Sequence, residues 1–183
     1  MNYNQKGRSM VEMLGVLAII GILSAGALKG YSAAMFRHKV NQTIDTFSLV
    51  LQRLTELREK NLGDDFEITT ADDIIKYGLL PECQKDDEYS CRLPIGSLGM
   101  ETCDGCITKD INIYLYGLAS VKECIAFASV GWENAIVDKN VEMNIWNDGD
   151  AIFRKTSMET VTAACKQECE ENGCSFGILI VPF

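Results

Sequence analysis

From Met13 to Leu28 the chain runs 16 residues without a charge, and Glu12 stands immediately in front of them. An apolar stretch of that length has to be covered by lipid, by neighbouring helices or by a core. As a helix it is about 24 Å long, whereas a free-standing membrane span needs roughly 20 residues. Counting Met10 to Glu12 lengthens it to 19 residues with one acid inside. A carboxylate taken into hydrocarbon is costly, so an acid at that place has a function and a partner. A basic triplet, Lys6-Gly7-Arg8, precedes it.

Three readings compete for this segment. In a secretory signal peptide, Lys6 and Arg8 form the basic n-region and Ala25-Gly26-Ala27 the cleavage site, with the cut after Ala27. Glu12 speaks against it, because it charges the front of the apolar region. In a plain signal anchor, Lys29, Arg37 and Lys39 on the far side weaken the positive-inside bias. The third reading uses more of the residues. Basic leader, Gly7, Arg8, Glu12 and the apolar run Met13 to Leu23 together resemble the N-terminus of type IV prepilins and type II secretion pseudopilins.

That resemblance covers roughly the first 30 residues and implies a specific processing scheme. The leader would end at Gly7 and the mature chain would begin at Arg8. Glu12 would then be the fifth mature residue, the position at which the family carries its acid. N-terminal methylation would fall on Arg8. Two positions depart from the family pattern: Arg8 stands where Phe or Met is usual, and Lys29-Gly30 stand where a Pro is common. The physical role expected for Glu12 follows from charge pairing. Cleavage creates an ammonium on Arg8, and a buried charge is tolerated when paired but strongly penalised alone. Glu12 of one subunit, by neutralising the ammonium of another, would gauge axial register during assembly.

The helix is expected to continue beyond Leu28. Val40, Ile44, Phe47, Leu51 and Leu54 recur in steps of 4, 3, 4 and 3, the spacing of one helix face. Arg37, Lys39, Gln42, Asp45, Gln52, Arg53, Glu56 and Glu59 fill the other faces. No Pro occurs before Pro81, and Asn61 and Gly63 are stop signals. The spacing therefore predicts one helix from about Ser9 to Leu62, apolar all round in its first half and amphipathic in its second.

Charge and cysteine separate the remainder from this helix. Residues 63–183 hold 22 acids against 9 Lys/Arg, a local charge of −13, whereas residues 8–62 carry +3. The acidic part argues against nonspecific binding to nucleic acid. All eight cysteines lie in it: Cys83, Cys91, Cys103, Cys106, Cys124, Cys165, Cys169 and Cys174. An even number behind an apolar N-terminus predicts four disulfides formed in an oxidising compartment, with connectivity left open. Cys165 and Cys169, one helical turn apart, are expected to bridge elsewhere rather than to each other. Zinc is the rival use of cysteine, but Cys103-Asp-Gly-Cys106 has no second pair or nearby histidine to complete a site.

Within 63–183 the pattern predicts a short helix capped by Thr70 and closed at Gly78, before Pro81. Cys83 to Cys106 reads as a stapled loop. Ile111 to Tyr116 alternates as a half-buried strand. A helix is expected over Ser120 to Asn134, a strand over Val141 to Trp146, and a hairpin turn at Asn147 to Asp150. A helix from Ser157 through Glu171 and a last strand from Cys174 to Val181 follow. Strands with interspersed helices give an α+β head around an antiparallel sheet, with the long helix packed on it.

Chemistry-bearing motifs are weak. His38, the only histidine, falls on the predicted helix with no nucleophile placed to use it. Cys103-x-x-Cys106 is followed by a strand pattern, whereas a redox pair would open a helix. Asp138-x-Asn140-x-Glu142 resembles a calcium loop, but Met143 occupies the place that requires Gly. Asn147, Asp148 and Asp150 read more simply as a turn. No catalytic, metal or cofactor site is expected. The sequence therefore points to a structural subunit divided into a leader (1–7), a transmembrane and assembly helix (8–30), a stalk helix (31–62) and a disulfide-stapled head (63–183). The resemblance implies a prepilin peptidase, an inner-membrane assembly platform and other subunits as partners. It also implies a single N-in pass of the bacterial inner membrane, then a periplasmic or cell-surface fibre.

Overall fold

The computed structural model describes residues 10–59, 66–102, 111–130, 132, 141–144, 157–171 and 174–180. Helix α1 runs Met10–Glu59. It is followed by α2 (Ala71–Lys76), β1 (Ser90–Arg92), β2 (Ser97–Thr102), β3 (Ile111–Tyr116), α3 (Val121–Ala128), β4 (Val141–Asn144), α4 (Met158–Glu171) and β5 (Phe176–Ile180). The chain forms two compact units, divided between His38 and Lys39.

In the second unit the five strands form one sheet in the order β1-β2-β3-β5-β4, antiparallel at every pairing. The period-2 pattern decides its faces. Cys91, Leu98, Met100, Ile113 and Leu115 are buried in the core. Tyr114 and Tyr116, which alternate with them, are only half-buried. The stapled loop expected over Cys83 to Cys106 is thus corrected, because it contains β1 and β2. Its turn residues are real, since Gly96 adopts φ +67° and a Cβ there would meet the Tyr116 carbonyl oxygen at 2.6 Å. They serve a tight connection between two strands, and it is the six-residue register of β2 on β3 that makes the strands.

The C-terminal part of α1 packs through one face. Val40, Thr43, Phe47, Val50, Leu51 and Leu54 are buried. This corrects the expected stripe: Ile44 is half-buried, and Thr43 and Val50 lie fully inside. Thr43 was passed over because a hydroxyl breaks an apolar pattern. Its Oγ1 accepts a hydrogen bond from the Ile95 N–H at 3.2 Å, so burial leaves neither group without a partner. Phe47 meets Phe127 of α3 edge-on at 5.3 Å and Trp132 at 5.4 Å between ring centroids. Arg53 donates to the carbonyls of Gly78 and Leu79 at 3.2 and 3.1 Å, fixing the end of α2.

The short helices end where their sequences dictate. Thr70 and Asp73 form a capping box on α2, and Gly78 (φ +70°) supplies the left-handed residue after it. Ser120 caps α3. That helix stops at Ala128, well before the expected Asn134. Trp132 turns back instead, and its indole donates to the Phe127 carbonyl at 3.0 Å while its ring joins the Phe47 cluster. Packing of an aromatic side chain here outweighs further helical hydrogen bonds.

Helix α4 is held differently. Only Val161 and Cys165 of its side chains are buried, with Cys169 half-buried. These residues recur every four positions, so they share one face. Cys124 and Cys165 bridge α3 to α4, and Cys169–Cys174 ties α4 to the segment entering β5. Cys83–Cys91 staples the chain before β1 to β1 itself. Cys165 and Cys169 accordingly pair elsewhere and not with each other, as expected. Cys103 and Cys106 lie outside the described residues, as do the expected turn at Asn147 to Asp150 and the end of the strand expected to reach Trp146.

The candidate assembly site on helix α1

Helix formation at the start of α1 needs little tertiary help. Met10 to Leu28 is rich in Leu, Ala, Met and Ile and contains no Pro. Glu12 lies in the first turn, where the unpaired N–H groups favour a carboxylate. Lys29 lies 17 residues further on, so the two charges bracket the apolar run about 26 Å apart along the axis. That places each near one boundary of a hydrocarbon layer.

Every residue from Met10 to Ala34 is exposed. Met10 is 86% exposed, Ile22 75% and Leu28 69%, on all sides of the helix. The helix is long and apolar enough to cross a membrane, with a mean hydropathy of 2.2 over its most apolar window, none of it buried. Positions 15, 21, 26 and 30 are Gly, and a Cβ built at any of them would meet nothing within 4 Å. Close approach of a second helix is sterically open there.

Of the residues singled out from sequence, Glu12 lies on this helix, and Gly7 and Arg8 lie outside the described residues. His38 is exposed on α1. Asp138 and Asn140 lie outside the described residues, and Glu142 is in β4 opposite Leu179. Among the described residues no group of His, Cys, Asp and Glu could hold a metal ion.

Sequence reading missed a tyrosine–carboxylate ladder on the outer face of the sheet. Tyr114 donates to Glu101, and Tyr116 to Asp87 at 3.2 Å. Asp87 also accepts from the Ser90 hydroxyl and the Tyr89 N–H, both at 2.8 Å, and these bonds hold its pKa below the ordinary value. Burial, and then the Glu101 carboxylate, push the Tyr114 hydroxyl well above its own. The signal was present, since Tyr114 and Tyr116 alternate with buried residues, but their partners come from other strands and loops.

The family model described as the prokaryotic N-terminal methylation motif matches residues 2–28. This chain carries a prepilin-type N-terminus. The matched segment contains Gly7, Arg8 and Glu12 and ends at Leu28, where the uncharged run ends. No curated protein and no solved structure matches the chain. The prepilin-type segment, the long exposed helix and the disulfide-bearing α+β head together are those of a pilin-like processed subunit.

Proposed function

We propose that this protein is a structural subunit of a type IV pilus or a type II secretion pseudopilus. Prepilin peptidase removes residues 1–7, and Arg8 becomes the N-terminus and the site of N-methylation. Residues 8–30 hold the subunit in the bacterial inner membrane in a single N-in pass, and residues 31–62 form the stalk. Residues 63–183 form the exported head. The assembly platform then moves the subunit into a periplasmic or surface fibre in which other subunits replace lipid around the apolar run. The reading needs no catalytic residue and no cofactor. It is carried by one coincidence: the methylation-motif match at residues 2–28 falls on a helix whose apolar residues are exposed on every side.

N-terminal sequencing of exported protein tests the processing step, and it should begin at Arg8. A start at Leu28 would instead mark a secreted protein cut after Ala27. The assembly step is tested by Glu12→Gln, which keeps shape and removes charge. Leader removal should continue. Sheared fibres should fall by more than about a hundredfold against the membrane-retained pool, since breaking one side of a buried ion pair costs about 3–5 kcal/mol. Normal fibre yield with intact processing would sink the register role of Glu12.

A further inference from the structure

Between Glu12 and Asp45 the chain has no acid, yet α1 carries Lys29, Arg37 and Lys39 there. All three are exposed, and none makes an ion pair among the described residues. Covering the neighbouring apolar run brings these cations to the edge of a low-dielectric region. In a bundle of identical helices it also brings them close to the same cations of other copies. Like charges brought together without a counter-charge oppose association.

The counter-charge lies further along the same sequence. From Asp64 to Glu88 there are nine acids and two lysines. Both lysines are engaged: Lys85 pairs with Asp72 at 2.6 Å, and the Lys76 ammonium lies 4.9 Å above the centre of the Tyr77 ring. The fold gathers this stretch. The Ala71 N–H donates to the Glu88 carbonyl at 2.9 Å, which brings Glu88 beside the start of α2, four residues beyond Glu67. Glu67, Glu82 and Glu88 are exposed, and none pairs with a cation among the described residues. Each copy thus has an unpaired cationic strip on α1 and an unpaired acidic surface around α2.

We propose that Lys29, Arg37 and Lys39 dock onto the acidic surface marked by Glu67 and Glu88 on a second copy of this chain. The proposal rests on the reading of the protein as a fibre subunit and adds to it a second, electrostatic register beside that of Glu12. Each subunit uses its strip towards one neighbour and its acidic surface towards another. A contact of that head-to-tail kind propagates into a fibre rather than closing a dimer.

The test uses the full chain in cells that assemble it. One variant reverses the strip with Arg37→Glu and Lys39→Glu, leaving Lys29 so that the end of the apolar run is unchanged. The other reverses the acidic surface with Glu67→Lys and Glu88→Lys. All four positions are exposed, so the thermal unfolding of each variant should match the parent. Each variant alone should lose roughly tenfold or more of its sheared fibres, because like charges then face each other. Co-expression of the two should restore fibres to within about threefold of the parent, because each reversed strip then meets a reversed surface on the other chain. Full yield from either variant alone would overturn the proposal. Rescue only when all four changes share one chain would place the contact within a subunit and overturn it too. So would a strip variant that is lost from phosphatidylglycerol vesicles in the absence of assembly, since lipid would then be the strip's partner. A parent chain that forms no fibres would overturn the subunit reading itself, an outcome distinct from a parent that assembles while the charge swaps have no effect.

Discussion

The two ends of α1 are built from similar residues and meet opposite fates. From Met10 to Ala34 every side chain is exposed, and the apolar ones point in all directions. From Val40 to Leu54 one face is buried against aromatic and aliphatic side chains, while Gln42 and Gln52 stay in solvent. The difference is one of angular distribution rather than of hydrophobicity. A stripe is satisfied by a single partner surface and belongs to a folded unit. A fully apolar cylinder needs a surrounding phase, which is lipid or a bundle. The first region therefore contributes nothing to holding the head together, and the second should be decisive for it.

The largest test of that contrast is Phe47→Ala. It removes the ring on which Phe127 and Trp132 converge, and should cost the head about 3–5 kcal/mol in urea unfolding of the full chain in detergent. Removing the bridge of α3 to α4 with Cys124→Ser and Cys165→Ser comes next. It should cost about 2–4 kcal/mol, with faster amide exchange in α4. Thr43→Val keeps the shape but strands the Ile95 N–H, and should cost about 1–3 kcal/mol in the same unfolding assay.

A smaller effect comes from acid. Burial opposes ionisation of Asp73, but hydrogen bonds from Thr70 and Thr69 overcome it and lower the pKa below 3.8. A lowered folded pKa means that the stabilisation is fully present above the unfolded value, near 3.8, and is lost as pH falls through the folded one. The melting temperature of Asp73→Asn should therefore fall less steeply than the parent's below that pH. Smallest of all is Leu17→Ala, which should leave head unfolding within about 0.5 kcal/mol while weakening retention in detergent micelles. A head destabilised by Leu17→Ala as much as by Phe47→Ala would end the comparison.

Local rules made much of this legible. The helix was readable from spacing and the lack of Pro, the α2 cap from Thr70 and Gly78, and β3 from the alternation of Ile111 to Tyr116. The misses share a cause, which is that distant partners decided them. Thr43 is buried because Ile95, 52 residues away, offers a donor. Helix α3 ends early because Trp132 finds Phe47. Strands β1 and β2 form inside a turn-rich stretch because β3 is available to pair. On α1 the position of Glu12 was evident in the sequence, and so was its charge imbalance. The exposure of Lys29, Arg37 and Lys39 and the gathering of Glu88 beside α2 required the fold.

Helix α4 carries a consequence for the order of events in the cell. Its inward face consists of one valine and two cysteines, both of them in bridges. Such a face offers little for hydrophobic collapse to act on until the sulfurs are joined. Completion of the head is thereby tied to a place rather than only to a sequence. A chain still on the reducing side of the membrane keeps α4 undocked, and one that has crossed and met an oxidant closes it. The subunit would carry a record of its own export, written in sulfur, before it is offered to a growing fibre.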